Sequence, residues 1–142
     1  MVSKGSRWVL GILFLSLLAS CGHRTKLTIE DEVSPSFLIT GSGYELFFGL
    51  GEVTVEKDRF GRKELPVWSF KSRQRNEHQT WPTIVYGQLP DEFEQTFPKQ
   101  GSPQPLVEGR VYGAHATIYG TSGDEIWFIV KEGKAFRIAK PE

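Results

Sequence analysis

Three histidines, one cysteine and two small carboxylate clusters are the residues of this 142-residue chain whose types could do chemistry. His23, His78 and His115 are too far apart in sequence for a short zinc-motif spacing, and neither H-x-E nor HExxH occurs. A metal site would therefore need the fold to join His78 and His115, and the spacing itself predicts no metal and no cofactor. A nucleophilic serine needs a strained turn and a paired histidine. The small-residue loops Gly41-Ser42-Gly43 and Thr121-Ser122-Gly123-Asp124 lie between predicted strands, where such residues are ordinary turn chemistry. Carboxyl groups about 5–9 Å apart could hydrolyse a glycan. Asp91, Glu92 and Glu94, and likewise Asp124 and Glu125, fall in polar connections and read as solvated faces. No catalytic residue is predicted. With one cysteine there is no internal disulfide and no thiol pair for redox chemistry.

Charge and aromatic side chains point to binding instead. Residues 57–75 hold Lys57, Arg59, Arg62, Lys63, Lys71, Arg73 and Arg75 against Asp58 and Glu64, a net of +5. If the turn near Asp58–Lys63 and the loop Lys71–Arg75 share one end of the fold, they form a patch for anionic headgroups, lipopolysaccharide phosphates or an acidic protein. Trp81, between a polar run and Pro82, is the aromatic expected to be exposed as a ligand contact.

The lone cysteine closes an export signal. Lys4 and Arg7 precede the apolar run Trp8 to Leu18, which as a helix covers about 16 Å, roughly half a bilayer's hydrocarbon thickness. That suits a signal peptide and is too short for a transmembrane helix. The following Leu18-Ala19-Ser20-Cys21 resembles the lipobox of bacterial lipoproteins. The resemblance implies a diacylglyceryl thioether on Cys21 and cleavage before it. It also implies a location on a bacterial cell membrane facing the periplasm or exterior, with Gly22 compatible with an outer membrane. Pro82 to Pro90, Phe93, Pro98, Leu106 to Gly109 and Tyr112 are similar to a pattern in small uncharacterised bacterial lipoproteins. That pattern covers about thirty positions and implies no activity.

Removing the first 20 of the 142 residues leaves 122, with fifteen cations against seventeen acids. A chain so close to neutral lacks the basic excess of a general nucleic-acid binder. Residues 1–20 are read as the signal, 21–35 as lipidated N-terminus and tether with an edge strand near 26–29, and 36–142 as one domain. Short apolar runs between Gly, Pro, Ser and Asp clusters predict strands at 36–40, 44–55, 65–71, 82–88, 109–119, 125–131 and 134–139. Leu46, Phe48 and Leu50 share a face, and a bulge or bend is expected at Gly49 to Glu52. Lys131-Glu132-Gly133-Lys134 predicts a tight hairpin. Pro90 to Phe97 is read as one helical turn, because Asp91 and Glu92 suit a helix N-terminus.

The pattern predicts an all-β chain, an antiparallel immunoglobulin-like β-sandwich of about seven strands, with a small β-barrel as the alternative. The functional expectation is a non-enzymatic binding or accessory module, anchored through Cys21, whose partner is an envelope protein, lipopolysaccharide or cell-wall glycan. Two other classes stay open. Ser42-Gly43-Tyr44 is similar to part of the S-G-x-x-Y loop of lysozyme-inhibiting lipoproteins, though its spacing departs and that family's disulfide is absent, so an inhibitor of a cell-wall hydrolase is one. A glycan or lipid hydrolase is the other.

Overall fold

A computed structural model describes residues 24–30, 34–73 and 78–142. Over these residues the chain forms β1 (Lys26–Glu30), β2 (Ser36–Gly43), β3 (Leu46–Asp58), β4 (Gly61–Ser72), β5 (His78–Thr80), β6 (Ile84–Val85), β7 (Phe93–Phe97), β8 (Val111–Ile118), β9 (Asp124–Lys131) and β10 (Lys134–Ile138). The larger sheet has the order β10-β9-β8-β3-β4-β7, and the smaller has β1-β2-β5 with β6 paired to β2. All strand pairs between these elements are antiparallel. The two sheets pack as a β-sandwich and do not close into a barrel. Strands β8-β3-β4-β7 stand in Greek-key order, while β8, β9 and β10 meander.

Period-2 alternation accounts for the core. Tyr112, Ala114, Ala116 and Ile118 of β8 are all buried, as are Leu46, Phe48 and Leu50 of β3. Phe37 from the smaller sheet meets Phe48 at 4.9 Å and Phe128 at 6.2 Å between ring centroids. Burying each such ring contributes about 1.5–3 kcal/mol. Among the described residues the buried core runs from Leu27 to Ala135, within residues 22–142.

Three local expectations meet different outcomes. The β9–β10 turn forms as expected, with Glu132 and Gly133 both at positive φ (52° and 71°), the twist a two-residue hairpin requires. Its amides are capped by Glu108, whose Oε1 accepts from Glu132 N–H at 2.6 Å. The register break falls between Leu50 and Gly51, but the extra residue, Val67, is in β4 beside Pro66, which has no N–H to give the ladder. The helical turn expected at 90–97 does not form. Phe93–Phe97 is strand β7, because pairing with β4 sends Phe93 into the core, 5.2 Å from the Phe70 ring. This strand, with β1 and the short β5, takes the count to ten among the described residues, and only Ile84–Val85 (β6) forms within the strand expected at 82–88.

The start of the described chain is stitched down. Thr25 N–H donates to the Ser122 carbonyl at 3.0 Å, Ile118 N–H to Thr25 Oγ1 at 3.2 Å, and Leu27 N–H to Asp124 Oδ2 at 2.8 Å. The edge strand expected near 26–29 is β1, and Leu27 on it is 2% exposed.

Candidate functional site

The outward face of the larger sheet carries the densest group of interacting titratable side chains among the described residues. Gly49 of β3 lies opposite Ser69 of β4 on one side and His115 of β8 on the other, and His115 lies opposite Glu125 of β9. One step along, Gly51 lies opposite Gly113, and Gly113 opposite Trp127. Glycines therefore strip side chains from the middle of this face. A shallow cavity of about 240 Å³ results, lined in part by Gly49, Gly51, Glu64, Pro66, Ser69 and His115.

Glu64, from β4, folds into the stripped region. A Cβ at Gly113 would lie 2.8 Å from its Oε1, and one at Gly51 would lie 3.0 Å from its Oε2. Only bare backbone allows the carboxylate to lie so flat. From there Glu64 Oε2 reaches His115 Nε2 at 2.8 Å, while Glu125 Oε2 stands 3.4 Å from Nδ1. Lys140 Nζ is 3.3 Å from Glu125 Oε1 and 4.9 Å from the centre of the Trp127 ring, which also meets the His115 ring edge-on. Charges thus alternate along Glu64, His115, Glu125 and Lys140. The hydrogen bond to Glu64 raises the His115 pKa; burial lowers it, both carboxylates add to the rise, and Lys140 opposes them.

Both nitrogens of the ring face carboxylates, so this histidine is arranged to hold a proton between two acids. Ser69 is two strands away, about 10 Å at sheet spacing. Its Oγ hydrogen-bonds Thr96 Oγ1 at 2.7 Å. That separation is too great for direct proton transfer between the serine and the imidazole. Among the described residues no group of three or more His, Cys, Asp or Glu side chains could hold a metal ion. Elsewhere, burial pushes Tyr86 up to about 12, with Tyr112 adding to the rise.

No protein-family model, curated protein or solved structure matches this chain. The residues themselves must carry the reading.

Several expected residues stand apart from one another. Lys57, Arg59, Arg62 and Lys63 surround the β3–β4 turn, whereas Lys71 and Arg73 lie at the other end of β4. Arg62 and Lys71 stand nine positions apart on β4, about 30 Å, so among the described residues the single basic patch does not form. Arg73 Nε instead donates to the Asp91 carbonyl at 2.9 Å, and Lys71 lies opposite Glu94. Cys21 and Arg75 lie outside the described residues, as does His23. His78 pairs through its backbone with Gly43 in the smaller sheet, away from His115.

Trp81 is not an exposed contact. It is 6% exposed, and its indole N–H donates to the Gly41 carbonyl at 3.1 Å. The ring turns inward toward Phe93, 6.2 Å away between centroids. Asp124 and Glu125 are also more than a solvated face: the first ties β1 to β9, and the second flanks His115. Glu64 carried no signal in the sequence, because only strand register brings it to His115.

Proposed function

We propose that this protein is a membrane-anchored envelope lipoprotein, held through an acylated Cys21, that works as a non-enzymatic binding or accessory module. The observation that carries this reading is the docking of Arg24 and Thr25 onto the end of the larger sheet. Only Gly22 and His23 separate Cys21 from that docked segment. Even fully extended, the link from Cys21 to Arg24 spans about 10 Å. An acyl anchor at Cys21 would therefore hold the sandwich against the leaflet and confine its partners to the membrane surface. Two or more acyl chains make such attachment stable. The carboxylate-flanked His115, with neither ring nitrogen turned to a hydroxyl nucleophile, supports binding over hydrolysis.

Metabolic labelling with a fatty-acid analogue tests the anchor. The native chain should be labelled and sediment with membranes, while Cys21→Ser should be unlabelled. Equal labelling of both would remove the lipoprotein reading. In-cell crosslinking of the anchored protein then tests the binding role, with a reproducible envelope partner or glycan as the expected product.

A further inference from the structure

Pairing of β3 with β8 ends at Glu52 opposite Tyr112. Beyond it, β3 and β4 pair only with each other, closing at Asp58 opposite Gly61. A two-stranded arm thus continues about 13 Å past the sheet, the four residues from Leu65 to Gly61 at strand rise, while β3 bulges between Val53 and Lys57. At its apex Phe60 is 80% exposed, and Val55 on the arm is 87% exposed. The Arg59 guanidinium lies 4.7 Å from the centre of the Phe60 ring. Residues 56–63 carry Lys57, Arg59, Arg62 and Lys63 against Glu56 and Asp58, a net of +2. Both acids have internal partners: Glu56 stands 3.5 Å from Lys63, and Asp58 Oδ1 accepts from Phe60 N–H at 2.7 Å, which shapes the turn. Arg62 Nε donates to the Glu142 carbonyl at 2.6 Å, tying the arm to the end of the chain.

We propose that this tip inserts into the headgroup layer of a bilayer containing anionic phospholipid. Phe60 enters the interface, and Lys57 and Arg59 beside it meet lipid phosphates, while Arg62 and Lys63 keep their contacts to Glu142 and Glu56. Shape and charge together favour a bilayer over a protein partner. The tip is convex and narrow, and its one aromatic ring is sheathed by a cation. That order, cations around an apolar point, complements an anionic layer over hydrocarbon. A protein partner would instead have to supply both a pocket for Phe60 and acids around it.

The inference stands on the arm alone and needs no acyl group on Cys21. If Cys21 is acylated, the arm becomes a second contact. The run from Leu46, beside the docked N-terminal segment, to Asp58 places it about 33 Å along β3, ten paired steps once the register breaks are counted. The molecule would then lie along the leaflet with its long strands near the membrane plane.

The test uses a protein of residues 22–142, unacylated, sedimented with vesicles of phosphatidylcholine alone or mixed with phosphatidylglycerol. Binding is expected only with phosphatidylglycerol, and weaker in high salt. Removing a cation near an anionic surface weakens binding about fivefold, so Lys57→Glu with Arg59→Glu should weaken it at least tenfold. Phe60→Ser should weaken binding while keeping its salt dependence, and Phe60→Trp should gain a blue-shifted emission on adding vesicles. These tip side chains bury little, so the variants should keep the native melting temperature, which confirms that they fold. Equal binding to neutral vesicles, no binding, or variants that bind like the native protein would each overturn the proposal. Competition by inorganic phosphate at constant ionic strength would also overturn it, reassigning the tip to a free anion.

Discussion

The Glu64 carboxylate lies over the bare backbones of Gly51 and Gly113 and meets His115 Nε2 at 2.8 Å. Three strands cooperate in that contact: β4 brings the acid, β3 and β8 clear its path, and β8 supplies the base. The result joins the base of the β3–β4 arm to the middle of the larger sheet. Through Glu125 it continues to Lys140 near the end of the chain.

The glycine floor can be tested directly. In Gly113→Ala the new Cβ would lie 2.8 Å from Glu64 Oε1, so the carboxylate must lift away from His115. The His115 pKa should then fall toward its ordinary value, read from imidazole proton shifts in an NMR titration. An unchanged pKa would mean that the carboxylate finds another path to the ring.

The same contact sets a pH dependence. Because the folded pKa of His115 is raised, its contribution to stability is fully present below the unfolded value of about 6.5. It is lost as pH rises through the folded value. Urea midpoints of the native protein and His115→Gln should therefore differ most in mildly acidic buffer and converge in alkaline buffer. The side chain is 40% exposed, so solvent screening keeps the difference under about 1 kcal/mol. A gap that widened with rising pH would contradict the sign.

Asp124 has a structural task at the N-terminal edge. Its two carboxylate oxygens accept from Leu27 N–H and Glu125 N–H. Asp124→Ala should cost about 1–3 kcal/mol, because the Leu27 amide, on a buried residue, loses a charged acceptor. Hydrogen exchange should accelerate across residues 26–30 before it does so in β8. Uniform acceleration over the whole sandwich would mean that β1 does not open separately.

Trp81→Ala distinguishes a core residue from a ligand contact. Truncating so buried a ring should cost about 3–5 kcal/mol, a large part of the 5–15 kcal/mol that holds an ordinary domain together. Thermal unfolding should show a melting temperature many degrees lower. A variant with native stability would restore Trp81 to the surface.

Much of the fold was legible along the chain because its signals are local. The alternation Tyr112, Ala114, Ala116, Ile118 marks β8 whatever surrounds it, and Glu132-Gly133 suits a hairpin without outside help. Residues 93–97 were not legible in the same way. Asp91 and Glu92 favour a helix start locally, and only pairing with β4 and a place for Phe93 beside Phe70 overrule them.

Residue order was enough for the all-β class and for the inward faces of the longer strands. The tertiary structure alone decided which polar residues meet. Glu64, His115 and Glu125 are distant along the chain, and they become neighbours through the pairing of β3 with β4 and β8, and of β8 with β9. It also divided the basic segment, since a strand as long as β4 carries its two ends about 30 Å apart however close they stand in sequence. Side-chain alternation is a property of each residue's own backbone, whereas register and strand direction belong to the whole sheet.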